Sequence, residues 1–384
     1  MRRFLMVLPL LLAAVAPARA AMDTAAEHAL LMDAATGQVL WQKDGLSPMP
    51  PASMSKLMTL DILFQRLADG RLKLTDALPV SERAWRTQGS KMFVELGSRI
   101  SVENLIRGII IQSGNDACVV VAEGIGGTVE NFVALMNARA RQIGLAQSTF
   151  VNPDGLPEPP GQMMSALDLA KLARHLIRTY PQYYPYFSEK EFTWHNIRQP
   201  NRDLALGSLP GADGLKTGHT DDAGFGITIS AKRGTQRLIL VLNGLRYPQY
   251  GTNTYFPNIK RSEEAGRVLD LAFREFRSYP VFAANQVVGN APVRNGAAPT
   301  VPVTPAKPLA VTMQVDSHNG ARTVLKIDPN LTAPVAQGQR VGTITVTAPD
   351  FPGLTVPVYA TQAVAKENMF MGLWHKATGM FGKK

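Results

Sequence analysis

The chain holds one cysteine in 384 residues, Cys118, so no internal disulfide can form and no disulfide framework holds the fold. Its apolar neighbours Ala117 and Val119 read as the surroundings of a packed core thiol. The six histidines include no His-x-x-x-His pair, and no Cys/His zinc spacing, Walker loop or Rossmann glycine fingerprint occurs. No metal and no nucleotide cofactor is expected. Charged residues make up 18% against 45% hydrophobic, which excludes a disordered chain. The amino-terminal apolar run, Phe4 to Ala16, is too short to span a bilayer comfortably.

What is present begins with size and charge. At 384 residues the chain exceeds one ordinary domain, so a large core domain plus a smaller one is expected. A net charge of +10 favours an anionic surface, whether nucleic acid, anionic lipid or acidic polymer, and charge alone does not choose among them. Arg2 and Arg3, the apolar run and the small-x-small string Ala18-Arg19-Ala20 read as a secretory signal over residues 1–20, cleaved after Ala20. The arginine pair touches on the twin-arginine route, but the surrounding residues favour ordinary secretion.

Three short strings carry chemistry. Ser53 precedes Lys56 by three residues, Ser113-Gly114-Asn115 follows downstream, and Lys216-Thr217-Gly218 comes later. A Ser-x-x-Lys string arises about once by chance in a chain of this size, so the conjunction and not the first string is informative. Leu57, Leu60, Leu63 and Phe64 recur at helical spacing, which predicts a helix from Ser53 to Leu67 with Ser53 at its amino terminus. There the free backbone N–H groups favour negative charge on the serine oxygen, although a serine there can also simply cap the helix. Lys56, at i+3, shares the serine's face. A lysine becomes a base only when desolvated or placed near another cation, and Lys216 is the candidate second cation.

Ser113 and Asn115 fall between two apolar runs, Leu105 to Ile111 and Ala117 to Ala122, at a junction of two predicted helices. Ser113 can relay a proton, and the Asn115 amide can either bond a substrate amide or hold Lys56. Lys216-Thr217-Gly218 precedes Phe225 to Ser230 and Leu238 to Leu242, which predicts a two-stranded antiparallel element with the triplet at its leading end. The lysine and the threonine hydroxyl together make a carboxylate site, and Gly218 lets a substrate backbone lie against the strand. The expected oxyanion donors are the N–H of Ser53 and that of His219. Ahead of these motifs, Leu30 to Asp33 and Gln38 to Gln42 flank Gly37 as a strand, turn and strand.

The set matches penicillin-binding proteins and serine β-lactamases. With Leu105 to Cys118 and Asp213 to Thr220 added, nearly all of the mature chain resembles the low-molecular-mass penicillin-binding proteins, the D-alanyl-D-alanine carboxypeptidases with a carboxy-terminal membrane anchor. The resemblance implies an α/β (α+β) transpeptidase-like domain over 21–277. It implies that Ser53 attacks the bond between two terminal D-alanines of a peptidoglycan pentapeptide stem and forms an acyl-enzyme that water clears. It also implies that β-lactams acylate Ser53 and stay. Arg261 falls where the family has an arginine near the substrate carboxylate, Arg202 is an alternative that braces the Lys-Thr-Gly region, and Asn152 to Ser165 reads as the rim loop of the active site.

The rim loop separates the close alternatives. A class A β-lactamase needs a loop glutamate to drive deacylation, and the sequence around Asp154 and Glu158 has no Glu-x-x-x-Asn. A serine β-lactamase is therefore the runner-up, a transpeptidase shares the acylation step, and a wall-binding protein without activity is the non-enzymatic reading. From Ser278, Val-rich stretches alternate with Pro, Gly, Asn and Asp, which predicts a β-rich domain over 278–362, with Asn290 to Pro308 as a spacer. Over 363–384, Phe370, Leu373, Trp374, Ala377 and Phe381 recur at helical spacing among basic residues such as Lys376 and Lys383. That is the pattern of an amphipathic helix lying on anionic lipid, which places the enzyme on the periplasmic face of the inner membrane and leaves no nucleic-acid partner expected.

Overall fold

Residues 28–33 alternate, so Leu30 and Met32 enter one core while Ala29 and Leu31 enter another, and all four are buried. Such a strand needs cover on both faces. The computed structural model describes residues 22–349 and 351–367. The expected signal segment and most of the expected terminal helix lie outside these residues.

Strands β1 (His28–Asp33), β2 (Val39–Lys43), β3 (Ala212–Thr220), β4 (Gly224–Arg233) and β5 (Gln236–Leu245) form an antiparallel sheet in the order β2-β1-β5-β4-β3. On one face lies a helical lobe of α1 (Lys56–Ala68), α2 (Val102–Ile110), α3 (Asn115–Gly126), α4 (Val129–Gln142) and α5 (Ala166–Thr179). The other face is covered by α6 (Tyr255–Glu275), whose Ala265, Val268, Leu269 and Ala272 recur at i, i+3, i+4 and i+7 and are all buried. Among the described residues no single helix is long and apolar enough to cross a membrane.

The strand order makes β3 an edge. Lys216, Thr217 and Gly218 sit inside that edge strand, opposite Thr228, Ile227 and Gly226 of β4. The triplet therefore does not lead a two-stranded unit, as its position before two apolar runs implied. It belongs to a third strand whose polar, glycine-rich sequence hides its strand character. The edge faces the amino-terminal end of α1, and the cleft lies between them.

The carboxy-terminal module begins at β6 (Phe276–Phe282), which directly follows α6 and pairs with β9 (Leu309–Gln314). The strands β7 (Gly289–Pro292), β8 (Thr300–Pro305), β10 (Arg322–Ile327), β11 (Arg340–Ala348) and β12 (Phe351–Ala360) form a second sheet in the order β7-β8-β12-β11-β10. The stretch expected to be a spacer, 290–308, thus contains much of β7 and all of β8. Val301 and Val303 are fully buried on alternate positions, a period-2 signal that the surrounding prolines obscured. Residues 363–367 continue this module in extended form: Val364 bridges Val335, and Lys366 bridges Gly296. The terminal helix, expected from 363, has no helical residue over 363–367. The two modules are tied by Thr312 Oγ1, which donates to Asp33 Oδ2 at 2.8 Å, and by Gln38 Nε2, which donates to the Thr312 carbonyl at 2.9 Å.

One buried carboxylate shapes the cleft wall. Asp116, in the first turn of α3, accepts the backbone N–H groups of Met92 (2.8 Å), Phe93 (2.9 Å) and Val94 (3.1 Å). This holds the segment that carries Ser90 against α3. Asp116→Ala is expected to lower stability by about 2–3 kcal/mol, the worth of hydrogen bonds to a charged acceptor, read as a shift in the urea unfolding midpoint with an unchanged slope.

Candidate active site

Ser53 does not cap a helix. It lies in a 3₁₀ turn, Ala52–Ser55, that runs into α1, and its hydroxyl faces Lys56 instead of the backbone. Ala52 opens this turn in the left-handed region at φ +47°. The turn is gripped from two sides by glycines. A methyl group at Gly155 (φ +82°) would lie 2.1 Å from the Ala52 carbonyl oxygen, and one at Gly218 would lie 3.0 Å from the Pro51 carbonyl oxygen. Only residues without a side chain let the rim loop and the edge strand come this close.

That approach completes the surroundings of Lys56. Its Nζ, fully buried, lies 2.8 Å from Ser53 Oγ and 2.7 Å from Asn115 Oδ1, and it donates to the backbone carbonyl of Asp154. A neutral amine has two N–H bonds and one lone pair. The Asn115 and Asp154 oxygens, which can only accept, take the two hydrogens, so the lone pair is left for the Ser53 hydroxyl. Asn115 is itself held by its Nδ2, which donates to the Gln88 carbonyl at 2.8 Å. Of the two options for Asn115, holding Lys56 is realised through its amide oxygen, while one hydrogen of Nδ2 remains beyond the bond to Gln88.

Charge reinforces this geometry. Burial lowers the pKa of Lys56, opposed by Cys118 and Asp154 and assisted by the positive charge of Arg202. Lys216 is pushed well below the lysine range, first by burial and then by Lys56, Arg202 and Arg261. Both amines are thus biased toward their neutral forms. Lys216 Nζ donates to Ser113 Oγ at 3.0 Å. Ser113 sits at φ +59°, an unusual backbone for a serine, which turns its hydroxyl into the cleft at the junction of α2 and α3. Cys118 is buried, and its thiol is pushed up to about 12 by desolvation, so it is inert.

Beyond Ser113 the cleft becomes cationic. A cavity of about 150 Å³ is lined by Ser53, Ser113, Arg202, Thr217, His219 and Arg261 among others. Arg261 is 2% exposed, its Nη1 and Nη2 donate to the carbonyls of Gly218 (3.4 Å) and Arg202 (3.1 Å), and its Nε has no hydrogen-bond partner among the described residues. Burial brings its pKa down to about 10, with Asp203 supporting the charge. The Arg202 carbonyl accepts from Arg261, which itself bonds the Gly218 carbonyl of the strand. The Arg202 side chain crosses the mouth of the cleft, where Nη1 donates to Ser90 Oγ at 2.6 Å. His219 stacks on Phe225 with ring centroids 3.9 Å apart, and it lines the same cavity as Ser53.

All nine residues expected from the sequence therefore meet at one cleft. Ser90, Gln88, Asp116 and the carbonyl of Asp154 join them without having been found, because three of them act through backbone groups or hold other residues. Asp154-Gly155 within the rim loop was the one legible trace, a turn dipeptide whose glycine the approach to Ala52 requires.

The comparisons agree with this geometry. Residues 14–245 match the family model for D-alanyl-D-alanine carboxypeptidase, peptidase S11. The chain belongs to that family. Residues 276–366 match the penicillin-binding protein 5 C-terminal domain. The D-alanyl-D-alanine carboxypeptidase DacC of Escherichia coli is 37% identical over 82% of this chain and 78% of its own length. DacF of Bacillus subtilis is 34% identical over 83% of this chain and 80% of its own. The crystal structure of penicillin-binding protein 5 from Haemophilus influenzae superposes with a TM-score of 0.81 at 32% identity, over 90% of this chain and 98% of that one. This family member is thus a serine-type carboxypeptidase with a penicillin-binding-protein fold and a β-rich carboxy-terminal domain.

Because burial favours the neutral amine, Lys56 loses its proton below the ordinary lysine value of 10.5. Acylation of the wild-type protein by a penicillin is therefore expected to rise with pH along a limb that levels off below that value. Lys56→Arg, which keeps its charge at any accessible pH, is expected to lose about 10³-fold in acylation rate and to show no limb, as checked by stopped-flow labelling across pH.

Proposed function

We propose that this chain trims the terminal D-alanine from peptidoglycan pentapeptide stems, with Ser53 as nucleophile and Lys56 as its base. One observation carries the assignment of roles: Lys56 Nζ lies 2.8 Å from Ser53 Oγ while two fixed carbonyl oxygens occupy its remaining directions.

The terminal carboxylate of the stem binds at the cationic end, against Lys216, Thr217 and Arg261. The peptide lies along β3 as an added strand, which Gly218 permits. This sets the carbonyl of the penultimate D-alanine over Ser53. Lys56 takes the hydroxyl proton as Oγ attacks, and the oxyanion is met by the N–H groups of Ser53 and His219. Ser113, fixed by Lys216 at 3.0 Å, relays to the departing nitrogen the proton that Lys56 took, so the C–N bond breaks, free D-alanine leaves, and Lys56 and Ser113 are both restored to their neutral forms. Water then enters, Lys56 takes its proton in turn, and the acyl-enzyme is hydrolysed. A β-lactam follows the same first step. Its leaving group remains tethered to the acyl-enzyme and blocks the approach of water.

The rim loop favours this reading over a β-lactamase. Its contact with the base is a backbone carbonyl, and the Asp154 carboxylate is spent on the N–H of Leu156 at 3.0 Å. Burial raises the pKa of that carboxyl group, which suits a structural role. No loop glutamate stands ready to activate a deacylating water.

Export and anchoring complete the proposal. Residues 1–20 direct the chain out of the cytoplasm, and the amphipathic segment from 368 onward holds it on the periplasmic face of the inner membrane. The basic net charge fits both an anionic leaflet and an acidic wall.

Intact-mass analysis after incubation with a peptide ending in D-Ala-D-Ala, and separately with a penicillin, is expected to show loss of one alanine from the peptide and a persistent adduct with the drug. Ser53→Ala should give neither. A Ser53→Ala protein that still forms the adduct would show the nucleophile to be another residue. Removal of residues 368–384 is expected to leave peptide cleavage intact and to move the protein from the membrane to the soluble fraction on vesicle flotation.

A further inference from the structure

Outside the cleft, α5 gathers basic side chains on one face. Lys171, Arg174, His175 and Arg178 recur at i, i+3, i+4 and i+7 and line a recess of about 370 Å³ against the turn that joins β1 to β2. This recess shares no lining residue with the cavity that Ser53 lines. Arg174 is fixed there by the turn itself. Its Nε donates to the Ala34 carbonyl at 2.8 Å and its Nη2 to the Ala35 carbonyl at 3.0 Å. A methyl group at Gly37 (φ +79°) would lie 3.0 Å from its Cζ, so glycine lets the guanidinium lie across the turn. Arg178 Nη1 donates to the same Ala35 carbonyl at 2.7 Å. Two guanidinium groups thus converge on one neutral oxygen.

Neither has an acidic partner. Among the described residues no carboxylate lies within ion-pair distance of Arg174 or Arg178, and none lines the recess. The acids of the surrounding elements are committed elsewhere. Asp33 accepts from Thr36 and Thr312, and Asp61 pairs with Arg139 at 2.7 Å and with His175 at 3.1 Å. Asp168 accepts from Gln147 and Ser148 through one oxygen, and its other oxygen lies 3.7 Å from Lys171 Nζ. Burial lowers the pKa of Arg174, and the charge of Arg178 adds to this while Asp33 opposes it. Two cations that share a carbonyl repel each other, and an anion bound to both removes that repulsion. Donors for it are in place. A guanidinium carries five N–H bonds. Arg174 uses two on the turn and Arg178 one, which leaves three and four.

We propose that this recess is a binding site for a phosphomonoester group, with Arg174 and Arg178 as its forked donors and Lys171 as a third, point-like cation. A carboxylate has two oxygens and is satisfied by one guanidinium fork. A terminal phosphate has three acceptor oxygens and a charge near −2, which matches donors converging from three side chains. Its source is either a soluble phosphomonoester or the headgroup of an anionic lipid, and the site recognises the part they share. Because the recess and the cleft have separate walls, the phosphate binds without occupying the place of the peptide.

The test is isothermal titration of the full chain with inorganic phosphate and, separately, with acetate at the same ionic strength. Phosphate is expected to bind saturably at one site and acetate to show no such binding. Arg178→Gln should weaken phosphate binding by roughly tenfold or more, as for loss of a hydrogen bond between charged groups, and should leave D-alanine release unchanged. Arg178→Lys keeps the charge but not the fork, and should weaken it as well. Flotation with vesicles of phosphatidylcholine containing phosphatidic acid then assigns the source. Vesicle binding lowered by Arg178→Gln supports a lipid headgroup. Vesicle binding equal in the two proteins, with phosphate still bound by the wild type, supports a soluble phosphomonoester. Indistinguishable binding of phosphate and acetate by the wild type, or phosphate affinity unchanged in Arg178→Gln, overturns the proposal. The wild-type comparison needs no variant, so it decides the matter even where a variant fails to fold.

Discussion

The structure depends on keeping one amine out of water. Lys56 lies at the base of a cleft where no carboxylate among the described residues is close enough to pair, and its contacts are a hydroxyl and two carbonyl oxygens. An ammonium there forgoes hydration without a counter-ion, which is why burial is the leading cause of its lowered pKa. Each structural element around it serves this state. Helix α1 supplies the lysine, the start of α3 supplies Asn115, and the rim loop contributes Asp154 through a glycine that admits no side chain.

A second constraint is the edge of the sheet. β3 has a neighbour on one side only, so its other side is free to take a peptide as an additional strand. The same edge brings Lys216 to Ser113 and positions Thr217 and His219 beside Ser53. Positive charge gathers in the cavity that Ser53 lines, where Arg202 and Arg261 stand. A peptide with a carboxylate terminus is thereby oriented before any bond is made, which is the ordering that an acyl transfer requires.

The carboxy-terminal module stands apart from this chemistry but is continuous with it. α6 covers the sheet, supplies Arg261 to the cleft and runs straight into β6. Thr312 and Asp33 join the two modules by a hydrogen bond to a buried carboxylate. The β-rich module is therefore joined to the sheet through polar contacts as well as through the chain itself.

Much of the site could be read from residue order because its chemistry depends on local spacing. A lysine three residues after a serine shares its face on either a 3₁₀ turn or an α-helix, so the pairing survives even though Ser53 lies in the former. The first hairpin, the pair Phe225 to Ser230 and Leu238 to Leu242, and helices α1 to α3 were legible from apolar runs and spacing for the same local reason, whereas α4, α5 and α6 were not read from the sequence. Failures occurred where the pattern was masked or the partner was remote. Prolines hid the alternation of Val301 and Val303, and the polar triplet hid its own strand. Nothing near Asp154 in the chain announces that its carbonyl meets Lys56, and nothing near Arg261 says whether it faces solvent or the cleft. Sequence alone determined which groups react, since that is a matter of residue type and short spacing. Only the tertiary structure decided which of them are dry, which carbonyls they meet and which end of the cleft is positive, because desolvation and long-range charge depend on segments that lie far apart along the chain.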